Sequence, residues 1–193
     1  ASIIGIYQIK TSGSLLEDMP KSADFFKDIE FYEKEFNGVM PLEILIDTKR
    51  KKGVLKRSTL KKMNELEELI LEIPELSKPI SVVSLVKYAK QAYYNGNPKY
   101  YQLPTAQENS FILSYAKNTT NDVSLLESYV DSTGQYARIT AFMKNAEIDK
   151  MERIEERLNE KINKLFPKDR YKVTLTGKAF LFQKGTTFLI RNL

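Results

Sequence analysis

From Pro41 onward the chain repeats one order of patterns, and that order limits the fold more than any other feature. Segment 41–47, PLEILID, points Leu42, Ile44 and Ile46 one way and Leu45 the other, the period of an interior strand. Segment 59–72 changes period: Leu60, Met63, Leu66 and Ile70, with Ile73 beyond them, form one helical stripe. Ser58 or Thr59 is placed to cap this helix and Pro74 to stop it. A short extended piece follows near residue 80. The succession then returns: YARITAFM (136–143) has the branched and aromatic content of a strand. Asp149 and Glu152 have capping-box spacing and open a helix carrying Met151, Ile154, Leu158, Ile162 and Leu165 on one face. Pro167 ends that helix, and YKVTLTG (171–177) is a strand with Tyr171, Val173 and Leu175 on one side.

Two strand–helix–strand units around one sheet predict an α+β, ferredoxin-like domain (βαβ–βαβ) with a helical insertion subdomain at about 81–130. Within the insertion, Val82, Leu85, Val86, Ala89 and Tyr93 mark a helix, and Asn95-Gly96-Asn97-Pro98 marks a turn. Shorter helices are expected around 107–116 and 121–128. Ahead of the domain, 3–10 reads as a strand and 22–36 as a helix. Ser22 would cap that helix, and Phe25, Ile29, Tyr32 and Phe36 share one of its faces. The predicted division is therefore 1–38 as a leading segment, 39–177 as the domain, and 178–193 as an apolar connector rich in Phe and Leu.

Composition narrows the chemistry. The 193 residues contain no cysteine and no histidine, which excludes thiol nucleophiles, thiolate metal sites, imidazole bases and HExxH metalloprotease motifs. No catalytic residue, cofactor or metal is expected. Net charge is +5, compatible with an anionic partner without requiring one. The first ten residues lack the basic-then-apolar order of a secretory leader, and apolar runs fall far short of the roughly 20 residues that cross a bilayer.

Three groups of side chains are candidates for sites. Lys49, Arg50, Lys51, Lys52, Lys56, Arg57, Lys61 and Lys62 crowd one turn and helix start, suited to phosphates or simply to solvent. Glu152, Glu155, Glu156 and Glu160 alternate with Lys150, Arg153, Arg157 and Lys161 as an exposed charged face would. Asp47 and Asp131 suit turns or caps. The tyrosines of the middle, Tyr100 and Tyr101 foremost, can line a groove for an amphipathic ligand or build a subdomain core.

Several segments also resemble a known family: FYEKEFNGVMPLEILIDT (31–48), GVLKRSTLKKMNELEELI (53–70), PISVVSLVKYAKQAYYNGNPKYYQLP (79–104), DSTGQYARITAFMKN (131–145) and VTLTGKAFLF (173–182). They are similar to the large extracytoplasmic loop of bacterial exporters of the resistance–nodulation–division (RND) superfamily, in the MmpL-like and hopanoid-transporter-like group related to Patched. The wording around 31–48 is more similar to the second such loop than to the first.

The resemblance implies a porter domain on the periplasmic side of the bacterial inner membrane, with no chemistry of its own. Such a domain guides lipid or another hydrophobic substrate and couples to the motions of proton-driven membrane helices. Its partners would be those helices, the sister extracytoplasmic domain and further copies of the chain, with no nucleic acid. Phe36-Asn37-Gly38-Val39 and Pro41-Leu42-Glu43 would lead into the first porter strand, and Thr176-Gly177 out of the last. The substrate contact it suggests is Tyr100 and Tyr101. Two other readings stand beside it: a basic ferredoxin-like nucleic-acid-binding module, and a hydrolase working through carboxylates.

Overall fold

In the computed structural model, residues 24–36, 38–119, 126–178, 180, 181, 184, 185 and 188 are described. The expected strand at 3–10, the Ser22 cap, most of the helix at 121–128 and most of the connector lie outside this set. The elements are α1 (Asp24–Phe36), β1 (Met40–Asp47), α2 (Arg57–Leu71), α3 (Val82–Tyr93), a 3₁₀ turn (Pro98–Tyr100), α4 (Asn109–Thr119), β2 (Tyr136–Met143), α5 (Ile148–Leu165) and β3 (Lys172–Thr176).

The strands form an open antiparallel sheet in the order β2–β1–β3. Alternation decides its faces. Leu42, Ile44 and Ile46 on β1 and Ala137, Ile139, Ala141 and Met143 on β2 are buried. They meet the stripes of α2 (Leu60, Met63, Leu66, Ile70) and α5 (Met151, Ile154, Leu158, Ile162) in one apolar cluster. On the other sheet face Leu45, Tyr136 and Phe142 are exposed. Beyond β2, residues 75–80 run antiparallel to it through isolated bridges, Leu76 to Met143 and Ile80 to Thr140. Ser77 N–H donates to Phe142 O at 2.7 Å, and Ile80 and Thr140 exchange backbone bonds at 2.8 and 3.0 Å. This satisfies backbone groups that would otherwise template pairing with another chain.

Helix starts differ from the sequence reading. α2 begins at Arg57 after Lys56, without a side-chain cap, because Thr59 and Leu60 N–H both reach Lys56 O. Thr59 is buried instead, its hydroxyl 3.2 Å from that of Tyr171. No capping box forms at Asp149. α5 already starts at Ile148, whose side chain is buried, so Asp149 lies in the first turn, where its charge suits the helix dipole. On α1, Tyr32 and Phe36 stack on each other at 5.2 Å and are exposed rather than core-facing.

β1 enters and β3 leaves at the same end of the sheet. Gly177 closes the exit with φ +112°, and a Cβ there would stand 2.3 Å from the Pro41 carbonyl oxygen. Backbone cannot yield as a side-chain tip can, so Gly177→Ala is expected to cost about 2 kcal/mol, measurable by urea denaturation. An unchanged midpoint would show that the exit relaxes freely.

Candidate functional site

The insertion is a helical hairpin, α3 against α4, and the apolar positions read from the sequence of α3 divide between the interior and a groove. α3 buries Val82, Val83, Val86 and Lys90. Leu85 and Ala89 instead line an open groove with Tyr88, Ala92, Tyr115, Ala116 and Leu126, about 210 Å³ in volume. The walls are almost wholly apolar side chains, with two tyrosines supplying polar tips. Tyr93 closes one flank by packing on Phe111 and Tyr115, at 5.2 and 5.4 Å.

The helix rotates this way because a buried ion pair takes the inner face. Lys90 Nζ lies 2.7 Å from Glu108 Oε2, and the Lys90 side chain is 3% exposed. Glu108 also accepts from the Tyr94 hydroxyl and the Thr105 N–H, each at 2.8 Å. Lys90 first, then these bonds, hold its carboxyl down at about 2. The clip fastens the 94–108 loop to α3.

Tyr100 and Tyr101 sit in that loop region, half-buried, and neither lines the groove. Tyr100 stacks on Tyr94 at 4.1 Å. Tyr101 packs edge-on against Tyr88 at 4.8 Å, so it supports one groove wall from behind. The ammonium groups of Lys78 and Lys87 lie 5.6 and 5.7 Å from its ring centre. Burial, and then the neighbouring Tyr88, raise the Tyr101 hydroxyl above its ordinary range.

Beneath it lies a polar junction that the sequence pattern did not single out. Glu67 is on the buried side of α2 and accepts from the Ser81 hydroxyl, while Ser81 caps α3 by accepting from Val83 N–H at 2.9 Å. Burial pushes the Glu67 carboxyl up to about 7, against the opposing pull of Ser81, Lys87 and Lys78. The only sequence signal was one glutamate with stripe spacing, at Met63, Glu67 and Ile70.

No protein-family model and no curated protein matches this chain. What bears on its function is the geometry of these sites.

The remaining candidates are accounted for by contacts. Glu155 pairs with Lys184 at 2.9 Å, Arg157 with Glu72 at 2.7 Å and Lys150 with Glu75 at 2.7 Å, so much of the charged face of α5 is engaged in ion pairs. Among the described residues no group of acids is arranged to hold a metal ion. Asp47 accepts from Lys49 N–H and from Gln135 Nε2 at 2.7 and 2.9 Å. Asp131 accepts from the N–H groups of Thr133, Gln135 and Tyr136; burial alone would raise its carboxyl, but these bonds and the Thr133 hydroxyl hold it below its ordinary value. The basic loop at 49–57 packs against that turn, with Lys52 N–H to Thr133 O at 2.9 Å and Val54 N–H to Gly134 O at 3.0 Å.

Proposed function

We propose that this chain is the extracytoplasmic porter domain of an RND-type, proton-driven membrane exporter, on the periplasmic side of the bacterial inner membrane. It guides a lipid or other hydrophobic substrate along the α3–α4 groove and moves with the membrane helices, performing no chemistry. On this reading residues 75–80 are the counterpart of a fourth strand, completing a ferredoxin-like unit in which α2 and α5 cover one face.

One observation carries the proposal beyond sequence resemblance. β1 and β3 are antiparallel neighbours with Glu43 opposite Thr176, so the chain comes in and goes out at one end of the sheet. A loop inserted between two membrane helices needs that arrangement. Among the described residues no helix is long and apolar enough to cross a membrane, so the spanning segments would lie outside them. The apolar groove, lined by Leu85, Ala89, Ala92, Ala116 and Leu126 with Tyr88 and Tyr115, fits an alkyl chain. The nucleic-acid reading is weaker, because on the sheet face away from the core Arg138 and Lys172 are balanced by Glu43 and Asp47 of the central strand.

Two measurements test this in the full-length gene product. A cysteine placed at exposed Ser132 should react with a membrane-impermeant maleimide in intact spheroplasts; protection until lysis would defeat the location. Ala89→Phe, which fills the groove, is expected to reduce export by about tenfold with the fold retained by circular dichroism. Unchanged export would remove the groove from the pathway.

A further inference from the structure

We propose that the end of the domain opposite Gly38 and Gly177 is a binding site for a phosphate group. β1 ends there at Asp47, directly beside the start of β3 at Lys172. The loop after one strand and the turn before the other therefore meet, and both bring cations. Between them lies a groove of about 450 Å³ lined by Lys49, Arg50 and Lys56 from the loop and Arg170 from the turn, with Asp169 the single carboxylate. Ser58, Thr59 and Tyr171 add hydroxyls to its wall. A second groove of about 260 Å³ shares Lys49 and Tyr171 and adds Lys168 and Lys172.

Two observations distinguish this end from a loop of solvated lysines. First, the loop is built. Thr48 is buried, and its hydroxyl lies 2.9 Å from both the Arg50 and Gln135 carbonyls. Gly53 N–H donates to Arg50 O at 3.0 Å, and a Cβ on Gly53 would stand 2.2 Å from the Thr48 hydroxyl, so no larger residue fits. Lys49 Nζ is anchored on the Lys168 carbonyl at 2.7 Å, across 119 positions of sequence.

Second, the charges converge without compensation. Among the described residues Arg50 and Lys56 have no carboxylate within ion-pair reach, and Arg170 has only Asp169, its neighbour in sequence, at 3.4 Å. Like charges held in one groove repel, and an anion that bridges them relieves the repulsion. A phosphate offers several oxygens to a guanidinium fork, an ammonium and a hydroxyl together. A nucleic-acid strand fits less well, because the one ring in the groove, Tyr171, already packs on Phe166 at 5.3 Å and is not free to stack a base. The inference does not depend on the porter reading.

The phosphate can belong to a lipid headgroup or to a soluble molecule, and the test separates them. The 193-residue chain is titrated with inorganic phosphate by calorimetry at about 50 mM salt, and cosedimented with phosphatidylcholine vesicles with and without about 20 mol% phosphatidylglycerol. Arg50→Ala/Lys56→Ala, both exposed, is compared with Lys51→Ala/Lys61→Ala, which removes the same charge outside the groove lining. The expected result is phosphate or anionic-vesicle binding weakened about tenfold or more by the first pair and only about twofold by the second. Binding to vesicles that free phosphate displaces assigns a headgroup; binding of phosphate without vesicle retention assigns a soluble ligand. No binding of either at low salt, or equal losses in the two pairs, overturns the proposal.

Discussion

Replacing Lys90 by methionine is expected to lower the stability of this domain by about 3 kcal/mol, because it strands Glu108 beside an apolar helix face without its cation. The partner is poorly exposed, with 16% of its side chain accessible, and its other donors are a tyrosine hydroxyl and a backbone N–H. Urea denaturation reads the loss directly. The double change Lys90→Met/Glu108→Leu removes both charges and should recover most of it, since apolar pairs of similar volume commonly replace a buried ion pair without loss. A single variant as stable as the parent would mean that water solvates Glu108 freely. The same pair sets an acid limit. The folded-state value of Glu108, about 2, lies below its ordinary 4.5, so its contribution is present above 4.5 and is lost as pH falls towards 2.

Glu67 acts in the opposite direction, and its effect falls in the neutral range. Its folded-state value is about 7 against an ordinary 4.5, so the folded domain holds a proton that the unfolded chain releases. The associated stability is fully present below about 4.5 and is lost as pH rises through 7, amounting to about 3 kcal/mol in all. Glu67→Gln removes the titration. The glutamine amide oxygen still accepts from Ser81, but its NH₂ group brings donors that need partners, so at pH 5 the variant should be about 1 kcal/mol less stable than the parent. At about pH 8.5 the order should reverse, with the variant about 2 kcal/mol more stable. The charges that face this group are Lys78 and Lys87, which favour its ionised form, and Glu68, which opposes it. Parallel stability profiles for parent and variant from about pH 5 to 8.5 would show that Glu67 is ionised in the fold.

The two titrations place the stability maximum near pH 4.5, where the loss from Glu108 on the acid side meets the loss from Glu67 on the neutral side. Both groups bear on the insertion: one fastens its loop, the other joins its first helix to α2.

Much of the sheet layer was legible in the chain. Leu42, Ile44 and Ile46 repeat every second residue, and Met151, Ile154, Leu158 and Ile162 every three or four, because a strand and a helix expose one face at just those periods. The insertion was less so. On α3 the pattern grouped Val82, Leu85, Val86, Ala89 and Tyr93; Val82 and Val86 are buried, but Leu85 and Ala89 line the groove, Tyr93 is exposed and Lys90 lies inside. Hydrophobicity cannot indicate that a lysine is buried when its partner is 18 positions away. The tyrosines singled out, Tyr100 and Tyr101, turned out to stand behind the groove wall, while Tyr88 and Tyr115 face it. The capping signals at Ser58 and Asp149 were overridden by packing: Thr59 is drawn into the interior beside Tyr171, and Ile148 into the core as the first helical residue.

The sequence alone settled the element types, the buried faces of β1, β2, α2 and α5, and the lack of thiol or imidazole chemistry, since all of these follow from residue identity and short-range period. Only the tertiary structure decided which strands are neighbours, that chain entrance and exit share one end, and that the basic loop at 49–57 meets the turn at 168–170 across the end of the sheet. Those depend on contacts between residues roughly a hundred positions apart, selected by the packing of whole faces, and no local pattern encodes them.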